Sequence, residues 1–334
     1  MSGAIRLNGW VILDKPHGLG STQAVSAIKR GLRDGGYAKV PTGHGGTLDP
    51  LATGVLPIAL GEGTKLAGRM LDATKDYDFT VAFGTETDTL DLEAAVVATS
   101  EHRPTRADIE SVLLRFTGPI EQRPPAYSAI KLDGRRAYDR ARSGEVVEMP
   151  ARAVNILALS VRHAELDSAS IERDLRKEAP AEGEWTPDQV RGDCVPESKT
   201  IGAVTLSATV SKGTYIRSLA RDIALGLGTV GHVTMLRRTR AGPFGLGNAI
   251  SLDNWADAAK ARELESIVLP IEAGLDGIPA LPLTPGEAEA IRQGRVLAGS
   301  QAPDGLHFAK LGDTPIALVE AIDGNVRVVR GFNL

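Results

Sequence analysis

The stretch PTGHGGTLDPLATGVLPIALGEGTK, from Pro41 to Lys65, holds six glycines and three prolines in 25 residues, and no other part of the chain restricts the fold as strongly. Proline fixes the backbone and glycine reaches conformations closed to other residues, so the segment reads as stiff turns. A surface turn would account for that composition, since Asp before Pro is common in turns. The residues after Pro50, however, are apolar (LATGVLPIAL), which places the turn against the core. A carboxylate beside a core is costly unless it is paired or held at the mouth of a pocket. Asp49 is therefore a candidate nucleophile or general base. Gly43, Gly45 and Gly46 would let a flat ligand come close, and His44 adds a polarisable ring.

With 334 residues, 42% of them hydrophobic, the chain can bury a large core and is long enough for two domains. It lacks a run of about 18 apolar residues, and its first residues, MSGAIRLNGWVILDKP, lack the order of a signal peptide, so a cytoplasmic location is expected. One cysteine, Cys194, excludes an intrachain disulfide, and six scattered histidines argue against a zinc site. The net charge of −4 disfavours a nucleic-acid partner until its distribution is considered. Thr205 to Gly245 carries six basic residues against one acidic, and Arg123 to Arg142 six against two. Solvated basic faces would explain either patch alone. Together, in a chain acidic elsewhere, they predict a phosphate-binding surface.

GWVILDKP reads as a buried strand ending at Pro16, and STQAVSAIKRGL as a helix capped by Ser21 or Thr22. DYDFTVAFG alternates, placing Tyr77, Phe79, Val81 and Phe83 on one strand face. TRADIESVLLRF is a helix with Thr105 as its cap. AVTLSATVSKG is a strand, followed by a helix in TYIRSLARDIALGLG with Ile216, Leu219, Ile223 and Leu227 on one face. No regular βαβ repeat appears, so the expected class is α+β, with a mixed, mainly antiparallel sheet flanked by helices. Residues 165–199, with ten acidic and five basic positions, read as a largely disordered surface insertion. Prolines and glycines near residues 275–287 separate a catalytic domain, 1–270, from a small β-rich tail, 279–334. In that tail the strands TPIALVEA and NVRVVRGF are parted by a DG turn.

GLGTVG, residues 226–231, has dinucleotide-loop spacing but follows a helix where a strand is required, and no P-loop motif exists. GHGGTLDPLATGVLPIALGEGTK, by contrast, resembles the catalytic motif of the TruB-type pseudouridine synthases. Four further stretches match in family order: LDKPHGLGST, DYDF, RPPAYSAIKLDGRRAYDRAR and VSKGTYIRSLARDIALGLGTVGHVTMLRR. LPLTPGEAEAIRQGRVL resembles the PUA-type RNA-binding domain that follows in bacterial members. The likeness covers residues 8–163 and 200–334, leaving the acidic segment without a counterpart.

That resemblance implies isomerisation of uridine to pseudouridine at position 55 in the T loop of tRNA, without cofactor or metal. Uracil is detached from ribose, turned, and rejoined through C5. Asp49 takes the place of the essential aspartate, with Arg217 as its cationic partner, because a buried carboxylate needs a cation to stay ionised. Tyr77 becomes the ring that packs on the target base, although its strand face also suits a core residue. Tyr215 and Leu236 match positions lining the uridine pocket, and His44 the residue near the flipped nucleotide. Extruding the base costs a few kcal/mol, offset by backbone contacts expected from Lys131, Arg135, Lys212, Arg237 and Arg238. A monomer acting on the tRNA T stem-loop without guide RNA is expected. Guide-dependent relatives share the aspartate motif, and a tRNA-folding role is compatible with the same binding surface.

Overall fold

The computed structural model describes residues 4–128, 130–132, 134–162 and 200–334, so the acidic insertion expected at 165–199 lies outside the described residues. Two compact units are present, Met1–Tyr77 with Arg237–Leu334, and Asp78–Leu236. The division falls inside two strands, Lys75–Phe83 (β4) and Gly231–Ala241 (β8).

In the first unit, β1 (Gly9–Lys15) pairs antiparallel with β3 (Thr53–Leu60), and β2 (Thr42–His44) pairs with the same strand. β3 also runs parallel to β8, with Arg238 opposite Gly54. That close approach explains Gly54: its φ is +98° and a Cβ would collide with the Arg238 carbonyl. β3 is buried along almost its whole length, as its apolar sequence requires.

α1 (Ser21–Asp34) follows β1, and its buried stripe includes the expected Val25, Ile28 and Leu32. Its cap differs from expectation. Gly20 occupies the N-cap, with its N–H donating to Gln23 Oε1 at 2.8 Å, and the Ser21 hydroxyl is used elsewhere. α1 packs on a helix numbered α4 below (Leu252–Ala261), where Trp255 is 1% exposed against Gly31.

The tail has its own sheet, in which β9 (Ala280–Pro282), β10 (Leu297–Ala298), β11 (Gly305–Leu311), β12 (Thr314–Ile322) and β13 (Asn325–Gly331) are ordered 9-11-12-13-10. The expected DG turn joins β12 to β13, with φ +49° at Asp323 and +72° at Gly324. α5 (Pro285–Arg292), capped by Thr284, covers one face through Ala288 and Ile291. Phe308, Leu318 and Phe332 lie in one apolar cluster with Trp10, Ile12, Val55 and Phe244.

In the second unit, β5 (Gly118–Gln122), β6 (Arg152–Val161) and β7 (Ala203–Val210) are antiparallel neighbours, with β4 beside β7. Phe79, Val81 and Phe83 of β4 are buried, as the alternation requires. α2 (Arg106–Leu113) carries the expected Thr105 cap, bonded to Asp108 N, and α3 (Ile216–Gly226) buries Ile216, Leu219 and Ile223. Among the described residues no helix is long and apolar enough to cross a membrane.

The contact between Gly31 and Trp255 sets a test of the α1–α4 packing. Glycine to alanine inside a helix normally adds up to about 1 kcal/mol of stability. Here a Cβ at Gly31 would run into the buried indole nitrogen, so overpacking at about 1–3 kcal/mol should win. Gly31→Ala should lower the urea midpoint at unchanged slope; a raised midpoint would show that the indole has room to move.

Candidate active site

The loop that carries Asp49 is tied down residue by residue within the first unit. The Ser21 hydroxyl donates to the Leu48 carbonyl and accepts from the Leu48 N–H, both at 2.9 Å. This is where the expected cap residue is spent. Pro50 O accepts from Gly18 N at 2.9 Å and from the Lys15 ammonium at 3.1 Å. Ala52 N donates to Asp49 O at 3.1 Å, and Gly45 N to Pro57 O at 2.8 Å. From the other side Arg238, 1% exposed, donates Nε to Val55 O at 2.7 Å, Nη2 to Gly46 O at 3.2 Å and Nη1 to Thr47 O at 3.4 Å. Residues 46, 47, 48 and 50 are thus each held through a carbonyl, while Asp49 itself is half-buried.

Arg238 corrects an expectation. Placed from sequence on RNA phosphates, it is buried beneath the loop, and its guanidinium serves backbone carbonyls. Lys15 is the residue that sequence reading missed. Its side chain is buried, and its ammonium also donates to Leu19 O at 2.6 Å and Pro16 O at 3.0 Å. Burial pulls its pKa from 10.5 down to about 8, against the Asp49 carboxylate, which favours the charged form; Arg238 adds to the lowering. A lysine closing a strand that is apolar up to Asp14, GWVILDK, was the available signal, because a buried ammonium needs a reason. His44 sits on β2 with its Nδ1 buried and unbonded among the described atoms. Burial first, then Arg238, holds its pKa below the usual imidazole value, so the ring is neutral at physiological pH. Tyr77 lies on β4, half-buried.

The second unit holds Tyr215, Arg217 and Leu236. Arg217, in the first turn of α3, is 5% exposed and far from the open helix-start arginine that base rates favour. It donates to Thr89 O at 2.6 Å and to Tyr127 O at 2.9 Å, and lies 3.5 Å from the Asp91 carboxylate. Asp91, 7% exposed, is fixed by the Thr89 hydroxyl at 2.5 Å and by Glu93 N at 3.0 Å. Sequence reading did not single out Asp91, which stands in an acidic run, TETDTLDLE, without a motif of its own. Tyr215 caps α3, half-buried, and Leu236 is half-buried on β8.

Most of the arginines from Thr205 to Gly245 are engaged within the fold by ion pairs or by burial, Arg237 and Arg240 while still partly exposed. Arg237 forms a two-pronged pair with Asp14 at 2.8 and 3.1 Å, and Arg240 another with Asp76 at 2.6 and 2.9 Å. Arg221 pairs with Asp222 at 2.8 Å. The neutralising Asp14, Asp76 and Asp91 are distant in sequence, so a local charge count could not see them. Lys212 remains exposed, and Lys131 and Arg135 project from an exposed two-stranded hairpin, where Arg135 pairs with Glu145 at 3.2 Å.

Comparison with known proteins bears on this geometry. Residues 36–179 match TruB family pseudouridylate synthase (N terminal domain), and residues 217–276 match tRNA pseudouridylate synthase B C-terminal domain. The tRNA pseudouridine synthase B of Novosphingobium aromaticivorans is 57% identical over 98% of both chains. That of Zymomonas mobilis is 49% identical over 98% of this chain and 96% of its own. The fold is shared with an H/ACA ribonucleoprotein bound to a substrate RNA containing 2′-deoxyuridine (TM-score 0.66, 23% identity, 98% of this chain and 85% of the other). It is shared likewise with a Cbf5-Nop10-Gar1 complex (TM-score 0.65, 24% identity, 97% and 84%). Full-length identity of this order, on a chain whose glycine-rich motif is built into a fastened aspartate loop, settles the family: the chain belongs to the TruB family of pseudouridylate synthases.

Proposed function

We propose that this chain isomerises uridine to pseudouridine at position 55 of the tRNA T loop, acting alone, with Asp49 as the catalytic group. The observation that carries the reading is the loop itself: carbonyls on both sides of Asp49 are bonded to buried groups, while Asp49 itself is half-buried and its charge acts on the Lys15 ammonium. A loop so fixed has little left to reorganise when charge develops, which is where electrostatic catalysis gains most.

The chemistry follows from what such a carboxylate can do. The target uridine is flipped out of the folded T arm, and the C1′–N1 bond breaks as Asp49 answers the positive charge building on the ribose. Uracil turns, C5 bonds to C1′, the C5 proton leaves, and N1 takes up a proton, so atoms and electrons balance. Tyr77 packs on the base, Tyr215 and Leu236 line its pocket, and neutral His44 lies against the displaced nucleotide. Arg217 is the guanidinium of the catalytic set. The synthase chemistry belongs to residues 1–270, while Lys131, Arg135 and Lys212, with the tail 279–334, meet RNA phosphates. The same grip on the T arm would assist tRNA folding.

Asp49→Asn is the cleanest test, because Arg217 also holds two loop carbonyls and Asp91, so its loss would disturb structure together with turnover. Tritium release from T-arm RNA carrying 5-tritiated uridine should vanish in Asp49→Asn, while RNA affinity changes by less than about tenfold. A variant that keeps more than about a tenth of the wild-type single-turnover rate would remove Asp49 from the role.

The alkaline pH profile tests Lys15. Its ammonium discharges near pH 8, so the wild-type rate should fall above that value. Because the folded-state pKa lies below the unfolded 10.5, the fold gains stability as pH rises through this window, and the fall in rate is not unfolding. Lys15→Met should be slower and lack this limb. Parallel profiles for the two proteins would show that the charge on Lys15 does not serve catalysis.

A further inference from the structure

Gln122, the last residue of β5, is 1% exposed and uses both ends of its amide on one residue. Nε2 donates to the Tyr215 carbonyl at 3.1 Å, and Oε1 accepts from the Tyr215 N–H at 2.8 Å. The same carbonyl accepts from Leu219 N at 3.0 Å, the first bond of α3, so both of its lone pairs are taken. Arg152 is the cross-strand partner of Gln122 and therefore points to the same face of the sheet. Its guanidinium lies 4.9 Å from the centre of the Tyr215 ring and bonds to the Gly213 carbonyl. The next residue after Gln122 is gripped in return, since Arg123 O accepts from the Ser218 hydroxyl at 2.8 Å and from Arg221 Nη2 at 3.2 Å.

Resting on the isomerase reading above, we infer that Gln122 is a positioning residue for catalysis: its amide sets the rotation and register of the start of α3, and with them the Tyr215 ring and Arg217. The chemistry specifies this side chain closely. An apolar residue of equal size would fill the space without fixing the rotation of the helix. Asparagine is one methylene too short, and an ionised glutamate can accept from Tyr215 N–H but has no proton to donate to Tyr215 O. Tyr215 has no side-chain cap of its own, so the helix start takes its direction from this amide and from Arg152.

Two variants test the inference by single-turnover tritium release on T-arm RNA, with filter binding and amide hydrogen exchange alongside. Gln122→Leu should slow turnover by about tenfold or more and leave RNA affinity within about threefold. It should also expose the Tyr215 amide to exchange. Gln122→Glu supplies a signature that a merely space-filling role lacks, and carries the test if the leucine variant fails to fold. Its rate relative to wild type should rise as pH falls from about 8 to about 6, as the carboxyl regains a proton and a donor. Wild-type turnover with both variants within about twofold of it at every pH overturns the inference alone. A wild-type chain that releases no tritium overturns the isomerase reading instead, while loss of Tyr215 amide protection in Gln122→Leu still reports the grip.

Discussion

A guanidinium with backbone carbonyls as its partners is the constraint on which the site depends. Arg238 lies on β8 opposite Gly54, buried, and donates to Val55, Gly46 and Thr47. Hydrogen bonds from a charged group contribute about 1.5–3 kcal/mol each, and they link the strand that follows the loop to the loop itself. The glycines serve this arrangement. Gly54 permits the strand contact that brings Arg238 into place, and Gly46, at φ +138°, turns its carbonyl toward the guanidinium. With Ser21 and Lys15 closing the opposite side, the loop has fixed backbone on both flanks of Asp49, and stiffness in the sequence becomes preorganisation in the site.

The elements were largely legible because their patterns are local. β1, α1, β4, α2, β7, α3 and the tail hairpin all appear where periodicity, Thr caps and the DG turn place them. Asp49 stood out as a candidate because it is the one aspartate in a turn-rich segment that runs into the core. Its supports were not. Ser21 looks like a helix cap and in fact fastens Leu48, 27 residues away. Lys15 looks like the polar end of a strand, Asp91 like one of several acids, and Gln122 like an ordinary strand terminus. Each acquires its role from a partner distant in sequence, so no spacing reveals it.

The charge pattern shows the same limit from the opposite direction. Arginines crowded between Thr205 and Gly245 suggested an open phosphate-binding face, yet Arg217, Arg221, Arg237 and Arg240 are paired with aspartates and Arg238 is buried. In this protein the basic run is mainly tied up in ion pairs and backbone hydrogen bonds within each unit. Among the described residues Lys131, Arg135 and Lys212 are exposed, with Arg135 in an ion pair with Glu145.

Arg238 therefore separates the two accounts most directly. Arg238→Lys retains a positive charge but cannot span three carbonyls, so it tests the clamp without removing the charge. T-arm RNA binding across a salt series, measured beside the single-turnover rate, should show affinity within about threefold of wild type and an unchanged salt slope, because no phosphate contact is lost. The rate at saturating RNA should fall by about a hundredfold or more, the scale reported by displaced catalytic groups. A variant that turns over bound RNA at the wild-type rate, but binds it with a shallower salt slope, would place Arg238 on the RNA and contradict the account of a clamped aspartate loop.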